Sequence, residues 1–254
     1  MQEALVIGAG PAGLMAAEVL GRAGHRVVVA EAMPTPARKF LMAGKSGLNL
    51  TKDEPWDVFA NRFTGALPRT PEYLENGEFG PEAVMAWARA LGVDLFTGST
   101  GRVFPVGMKG SPLLRAWLAR LAGLGVELRT RWRWSGFTGD GWRFATPGGV
   151  EVLRPPVAVL ALGGASWPRL GSDGAWVAPL QARGVDIAPL QSANCGFDVD
   201  WTPFFAQRNA GAPLKPVVAH WIDLAGQPQS LQGECVASEY GIEGSLIYAL
   251  AADL

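Results

Sequence analysis

Residues 4–13 of the chain read ALVIGAGPAG, and this stretch decides the fold. Its first four residues, Ala4-Leu5-Val6-Ile7, are an apolar run typical of a buried parallel strand. The run leads directly into G-x-G-x-x-G at residues 8–13, and a helical pattern of apolar residues follows. Residues 26–31 (RVVVAE) then predict a second strand that ends in an acid. The whole unit has about 30 residues, the size of one βαβ half of a dinucleotide-binding fold.

Each part of this pattern suits a bound dinucleotide. Gly8 permits a tight turn, Gly10 lets the backbone approach a pyrophosphate, and Gly13 lets the helix pack close to the strand. The helix that begins at Pro11-Ala12 directs free N–H groups and the positive end of its dipole towards the phosphates. Glu31 is placed to accept hydrogen bonds from the ribose hydroxyls of an adenosine, and it would repel a 2′-phosphate. The strand–turn–helix–strand–acid context favours a dinucleotide site over a ligand-free glycine turn, and its position near the N-terminus favours FAD over NAD.

Residues 38–51 (RKFLMAGKSGLNLT) combine three cations with two glycines just beyond the acid. Two interpretations of this loop stay open on spacing alone. Arg38 and Lys39 could neutralise phosphate charge while Ser46 and its neighbours offer backbone N–H groups, or the segment could be a solvated surface loop.

Taken together, these stretches resemble a family of bacterial flavoproteins, the HI0933-like or BaiN-type NAD(P)/FAD-dependent oxidoreductases. The resemblance extends to three later motifs, which are GRVFP at 101–105, LALGGASWP at 160–168 and GSDG at 171–174. It implies an α/β fold with a Rossmann-like FAD-binding domain of the glutathione-reductase type and a β-rich inserted second domain. The expected boundaries are residues 1–189 for the first domain and 190–254 for the second.

The resemblance also places Arg38, Lys39 and Asn49 in the FAD site and makes Gly163-Gly164 a second glycine pair in contact with FAD. A plain strand-ending turn is the alternative for that pair. Trp134 corresponds to the residue whose backbone meets the adenine in similar flavoproteins. The complete set of expected cofactor-binding residues is Gly8, Gly10, Pro11, Ala12, Gly13, Glu31, Arg38, Lys39, Ser46, Asn49, Trp134, Gly163 and Gly164.

Between these motifs the sequence predicts several further elements. Residues 80–92 and 111–123 read as helices, the second with Ser111 as N-cap and Pro112 at the first helical position. A continuous strand is expected over residues 125–134, then a β-meander over 136–154 and a buried strand at 157–162.

Arginine and tryptophan alternate over residues 129–134 (RTRWRW). Stacking of bases on the tryptophans with phosphate pairing by the arginines would bind nucleic acid. A strand with tryptophans on one face and arginines on the other gives the same pattern. The net charge of −1 favours the strand and a protein without a nucleic-acid partner.

The sequence identifies no catalytic acid or base. Cys195 and Cys235 are predicted to be buried apolar residues, because neither has an evident basic partner. Glu239 and Tyr240 are candidates for lining the substrate pocket, since the resemblance implies that the inserted domain covers the flavin. Related chains continue beyond this point, so the sequence is expected to be C-terminally truncated.

Composition excludes several classes of protein. Two cysteines and two histidines in 254 residues make a disulfide scaffold, a cysteine- or histidine-built metal site and a Ser-His-Asp triad improbable. The apolar N-terminal stretch has no preceding positive charge and is broken by glycines, so it predicts no signal peptide or membrane span, and a cytoplasmic location is expected. The predicted function is an FAD-dependent oxidoreductase in which NAD(P)H, a transient donor, reduces the flavin and a small organic molecule accepts the hydride. The alternative is a truncated FAD- or ADP-binding module without turnover.

Overall fold

A computed structural model of the protein describes residues 3–45, 47–60 and 79–253. The chain divides into two compact units, Met1–Ile187 and Ala188–Leu254, and each is described by itself. The helices described in the first unit are α1 (Pro11–Arg22), α2 (Arg38–Ala43), α3 (Trp56–Ala60), α4 (Pro81–Ala90), α5 (Gly110–Gly123) and α6 (Val177–Gln181). Its strands are β1 (Glu3–Ile7), β2 (Arg26–Glu31), β3 (Thr51–Lys52), β4 (Leu95–Thr97), β5 (Arg102–Pro105), β6 (Glu127–Thr130), β7 (Arg133–Thr138), β8 (Gly141–Thr146), β9 (Gly149–Leu153) and β10 (Val157–Leu160).

A four-stranded parallel sheet of order β10-β1-β2-β6 forms the centre of this unit. Alternate residues of β1 and β2 serve two different cores. Val6 and Val29 face α1 and α5 on one side, while Leu5 and Val28 face an antiparallel β7-β8-β9 sheet on the other. Because both faces of the sheet are covered, the central strands are apolar between their ends, over Ala4–Ile7 in β1 and Val27–Ala30 in β2. The structure thus has the predicted α/β fold with a Rossmann-type parallel sheet.

The prediction of a buried strand at residues 157–162 is wrong in one respect. β10 ends at Leu160 and lies at the edge of the parallel sheet, where it pairs with β1 only, among the residues described. Val157 and Leu160 are 44% and 40% exposed. An apolar run reports strand character, but it does not show whether a strand is central or lies at an edge.

The continuous strand expected over residues 125–134 is also wrong. Arg131 takes a positive φ of 58° and separates β6 from β7. Its N–H donates to the carbonyl oxygen of Met33, and the N–H of Trp132 donates to that of Glu31. The backbone therefore leaves the parallel sheet at the end of β2 and crosses to the antiparallel sheet that covers it. The meander predicted for residues 136–154 is confirmed as the β7-β8-β9 sheet.

One helix start and one expected loop differ from the prediction. α5 begins at Gly110 with Lys109 as its N-cap, so Ser111 and Pro112 lie inside the first turn. Gly110 is buried, and a Cβ there would lie 3.4 Å from the ring of Phe40, so the helix start packs closely against α2. Residues 38–43, expected as a loop, form the short helix α2. The helix expected at residues 80–92 is confirmed as α4.

The second unit is built on an antiparallel sheet of order β11-β14-β13-β12. Its strands are β11 (Phe197–Asp198), β12 (Pro213–Ile222), β13 (Pro228–Ala237) and β14 (Gly241–Glu243), and its helices are α7 (Pro203–Asn209) and α8 (Ser245–Leu250). Cys235 is buried in the core between this sheet and Leu246 and Ile247 of α8, as predicted, whereas Cys195 is only half-buried. In neither unit do the described helices include one with the length and apolar character needed to cross a bilayer.

Candidate functional site

A cleft opens where β1, β2 and β10 end, at the carboxyl edge of the parallel sheet. Open α/β sheets bind their ligands at this edge. Most of the residues predicted from the sequence to hold the cofactor lie on this cleft. They are Gly8, Gly10, Pro11, Glu31, Arg38, Lys39, Trp134, Gly163 and Gly164.

The glycine-rich turn has the geometry that its sequence predicts. Gly8 has a φ of 106°, and a Cβ on Gly13 would lie 1.8 Å from the carbonyl oxygen of Gly8. A side chain at Gly13 would therefore force α1 away from β1. Gly10 is different, because a Cβ there would meet no atom within 4 Å. Gly10 thus leaves open space at the N-terminus of α1, which carries no side-chain cap.

The carboxylate of Glu31 is fixed by two backbone groups. Its Oε2 accepts a hydrogen bond of 2.8 Å from the N–H of Ala9, and its Oε1 accepts one of 2.8 Å from the N–H of Met33. Each carboxylate oxygen has a second lone pair available for a hydroxyl group. The acid is therefore tied to the glycine-rich turn and still able to accept hydrogen bonds from a ligand in the cleft.

Two cations enter the cleft from α2. Lys39 donates a hydrogen bond of 2.6 Å to the hydroxyl of Ser166, which follows the Gly163-Gly164 pair. Arg38 contacts Thr35 through Nη1 at 3.4 Å. The helix starts after Ala37, whose φ of 53° turns the chain and whose N–H donates to the carbonyl oxygen of Ala9. This bond fastens the cationic segment to the glycine-rich turn.

Three buried side-chain polar atoms have no hydrogen-bond partner within the described part of the chain: Arg38 Nε, Trp134 Nε1 and Ser172 Oγ. All three residues line this one cleft. Buried polar groups in native proteins are nearly always paired, so three unpaired groups on residues that line one cleft mark this cleft as a polar site. Together with Glu31 and the open space at Gly10, they fit an adenine dinucleotide such as FAD.

The remaining predicted residues lie elsewhere. Ala12 and Asn49 line a second, largely apolar hollow of about 770 Å³, which shares Pro11 and Phe40 with the cleft. Gly13 is buried beneath the turn and supports it. Ser46 lies outside the described residues.

Glu239 and Tyr240, the residues of the second unit predicted to line the substrate pocket, border a shallow hollow that contains Asp198 and Asp200. Tyr240 is 71% exposed there. Within the described segments no group of three or more histidine, cysteine, aspartate or glutamate side chains is arranged to hold a metal ion.

Sequence reasoning missed Ser172, Asp173 and Arg133 as cleft residues. In the sequence the first two belong to the GSDG motif, and the alternating pattern of residues 129–134 predicts Arg133 as a strand arginine. Asp173 pairs with Arg133 at 3.0 Å, a contact between residues 40 positions apart. The GSDG motif, with small and polar residues after a strand, is a signal for Ser172 and Asp173, whereas the sequence holds no corresponding signal for Arg133.

Comparisons with known proteins identify the family and the fold of the chain. The HI0933-like protein Rossmann domain family matches residues 2–241. An L-glutamate oxidase precursor of Streptomyces viridosporus is 40% identical over 81 residues, which cover 29% of this chain and 12% of that protein. The chain thus matches about an eighth of the length of this curated relative.

Among solved structures, the 3-ketosteroid-Δ4-(5α)-dehydrogenase of Rhodococcus jostii RHA1 aligns with a TM-score of 0.54 at 19% identity, over 73% of this chain and 55% of that chain. At this identity the likeness shows a shared fold. The THI4 protein of Thermovibrio ammonificans aligns with a TM-score of 0.45 at 15% identity, over 73% of this chain and 64% of that chain. Because the family match covers nearly the whole sequence, the chain belongs to the HI0933-like family.

Proposed function

We propose that this protein is an FAD-dependent oxidoreductase that takes electrons from NAD(P)H and passes them to a small organic acceptor. The observation that carries the proposal is the carboxylate of Glu31, which two backbone N–H groups hold on the cleft near the open space at Gly10. Family membership and the dehydrogenase fold of the structural relative support the same reading.

The proposed roles of the cleft residues follow from their chemistry. Glu31 accepts hydrogen bonds from ribose hydroxyls, because its carboxylate is held in place by two backbone N–H groups. Arg38 and Lys39 balance the charge of the pyrophosphate, which also meets the N-terminus of α1. Gly10 leaves room for that approach.

When bound, FAD supplies the hydride chemistry, and the protein contributes position and electrostatics. The overall reaction that we propose is balanced as NAD(P)H, a proton and the oxidised acceptor giving NAD(P)+ and the reduced acceptor. Two electrons and two protons reach the acceptor, one proton with the hydride and one from solution. A flavin that stays bound through the cycle is consistent with the fixed carboxylate of Glu31.

The proposal is tested by adding FAD to the purified chain, desalting it and recording the visible absorption spectrum. Retained flavin bands are expected for the wild type, and Glu31→Ala is expected to lose most of them. Glu151→Ala, which alters an exposed acid on β9, is the matched control and retains the bands. A folded wild-type chain that retains no flavin, or that binds NAD but not FAD in calorimetry, would contradict the proposal.

A second measurement separates an enzyme from a binding module. The flavin-loaded chain is mixed with NADH or NADPH and a dye acceptor, and oxidation of the nicotinamide is followed. Steady-state turnover supports the oxidoreductase. Bound flavin with no turnover above free FAD would instead favour the module that binds FAD or ADP without catalysis.

A further inference from the structure

Residues 163–176, here called the strap, join the end of β10 to α6 and form one wall of the cleft. The strap is held in shape by its own backbone. Trp167 and Ser172 exchange two hydrogen bonds of 3.0 and 3.2 Å, and the N–H of Gly174 donates to the carbonyl oxygen of Gly164 at 3.2 Å. It therefore has the character of a small preformed unit rather than an irregular loop.

Two charged contacts fasten the strap to the rest of the unit. On one side Asp173 Oδ2 pairs with Arg133 Nη1 of β7 at 3.0 Å, and on the other Ser166 accepts a hydrogen bond from Lys39 of α2. The second oxygen of Asp173 accepts from the N–H of Ala175 at 3.1 Å, which fixes the direction of the carboxylate. The Asp173–Arg133 pair thus joins two walls of the cleft that are far apart in sequence.

The strap also approaches the loop that follows Glu31. Gly171 has a φ of 94°, and a Cβ there would lie 2.8 Å from Cγ of Met33. The N–H of Met33 is one of the two groups that hold the Glu31 carboxylate. The strap consequently closes against the backbone beside the acid proposed to bind ribose.

The side chain of Ser172 indicates that the strap covers a polar site. Ser172 is 6% exposed, lines the cleft and has an unpaired hydroxyl among the described residues. Its neighbour Asp173 is the residue that makes the ion pair with Arg133. The ion pair and the unpaired hydroxyl therefore belong to adjacent residues of the strap.

We infer that Asp173 is a positioning residue, which through Arg133 holds the strap against the adenosine half of the cleft and so limits the rate at which a bound adenine dinucleotide leaves. This inference rests on the proposed function, since it requires FAD to occupy the cleft. The pair is half-exposed, with side-chain exposures of 46% for Arg133 and 30% for Asp173, so its contribution to global stability is small. Its effect is expected in the dissociation of the ligand.

The experiment measures FAD release from the chain of residues 1–254. The loaded protein is mixed with excess ADP, which prevents rebinding, and the recovery of flavin fluorescence gives the dissociation rate constant. Asp173→Asn is expected to raise this constant about fivefold, the factor that corresponds to the loss of one partly exposed ion pair. The wild-type constant rises with salt concentration because salt screens the pair, and the variant constant rises less.

Asp140→Asn is the matched control. Asp140 forms an ion pair of 2.9 Å with Arg154 at an exposed site that is not part of the cleft lining, so its loss should leave FAD release unchanged. Arg133→Lys keeps the charge and is expected to retain slow release, whereas Arg133→Met reproduces the faster release. In the Arg133→Met background, Asp173→Asn should have no additional effect, because the role of Asp173 acts through Arg133. If Asp173→Asn does not fold, the Arg133→Met and Arg133→Lys pair gives the same test.

The outcomes separate this inference from the proposed function. A wild-type chain that retains no FAD overturns both. A wild-type chain that retains FAD, with equal release from the Asp173→Asn and Asp140→Asn variants, overturns the positioning role alone. An undiminished effect of Asp173→Asn in the Arg133→Met background also overturns it, since Asp173 would then act without its partner.

Discussion

The indole nitrogen of Trp117 lies 2.7 Å from Oε2 of Glu18, although 99 positions separate the two residues in the chain. Glu18 projects from α1, the helix whose N-terminus faces the cleft, and is 2% exposed. Its carboxylate also accepts hydrogen bonds from the indole of Trp87 on α4 and from the guanidinium group of Arg120 on α5. One buried acid thus joins three helices behind the parallel sheet.

Substitution of this acid is expected to destabilise the protein without touching the cleft. In Glu18→Gln the side chain presents an N–H2 group to donors that need an acceptor, and Arg120 loses its charge partner. Breaking a buried pair of this kind costs about 3–5 kcal/mol in the free energy of unfolding. Urea unfolding monitored by tryptophan fluorescence measures the change. Glu151→Gln, at an exposed position, should change stability by less than about 0.5 kcal/mol.

The same acid predicts a dependence of stability on pH. Burial alone would raise the pKa of Glu18, but hydrogen bonds from two indoles and two guanidinium groups outweigh it and hold the pKa below its usual value of 4.5. An acid with a lowered pKa in the folded state stabilises the protein above its unfolded pKa, and this contribution is lost as the pH falls through the folded value. The wild type should therefore lose stability below about pH 4.5 more steeply than Glu18→Gln. Urea titrations measure the free energy of unfolding between about pH 7 and about pH 3.5, a range that contains the ordinary pKa of a carboxyl group. An equal dependence on pH in the wild type and in Glu18→Gln would contradict this prediction.

Alanine substitutions at two glycines of the glycine-rich turn should have different effects. One should lower stability, and the other should lower the affinity for FAD. Gly13→Ala places a Cβ against the Gly8 carbonyl oxygen, so a loss of about 3 kcal/mol, the upper end of the cost of overpacking, is expected. Gly10→Ala meets no neighbour and has a φ of −77°, which alanine adopts freely, so the folded protein should keep its stability. Its affinity for FAD should fall at least about tenfold, or 1.4 kcal/mol, because the methyl group occupies the space left for the pyrophosphate. Thermal unfolding and flavin titration separate the two effects. A Gly10→Ala variant with wild-type affinity for FAD would show that the pyrophosphate does not occupy the space at Gly10.

The unpaired hydroxyl of Ser172 gives a fourth prediction. Ser172→Ala removes a buried polar group that has no partner in the described part of the chain, so the ligand-free protein should be equally stable or more stable by about 1 kcal/mol. Affinity for FAD should fall by up to about tenfold, the value of one hydrogen bond. Ser111→Ala, on the exposed surface of α5, is the control for affinity. Reduced stability with unchanged affinity would show that the hydroxyl serves the fold and not the ligand.

Local chemistry explains what could be predicted from the sequence. The glycine spacing, the apolar strands and the terminal acid each act within one βαβ unit, so residues 4–31 predict their own conformation and their own position on the cleft. The hydrophobic runs likewise predict α4, α5 and the meander of β7, β8 and β9. Such elements depend on neighbours a few positions away, which periodicity records.

Contacts over long distances in the chain could not be predicted in this way. The break at Arg131 depends on carbonyl groups at the end of β2, and the edge position of β10 depends on which strands pair with β1. Nothing near Glu18 in the sequence identifies Trp87 and Trp117, whose indole N–H groups donate hydrogen bonds to its carboxylate. These features arise only when separate segments pack together.

The sequence by itself therefore determined the family, the α/β class and the acid and glycines of a dinucleotide site, because each rests on a short pattern with its own conformational preference. The tertiary structure decided which distant residues complete the cleft. Arg133 and Asp173 meet across 40 positions, and Lys39 and Ser166 across 127. Side-chain charges identify possible partners, but only the packing of the strands and helices brings one particular pair within hydrogen-bonding distance.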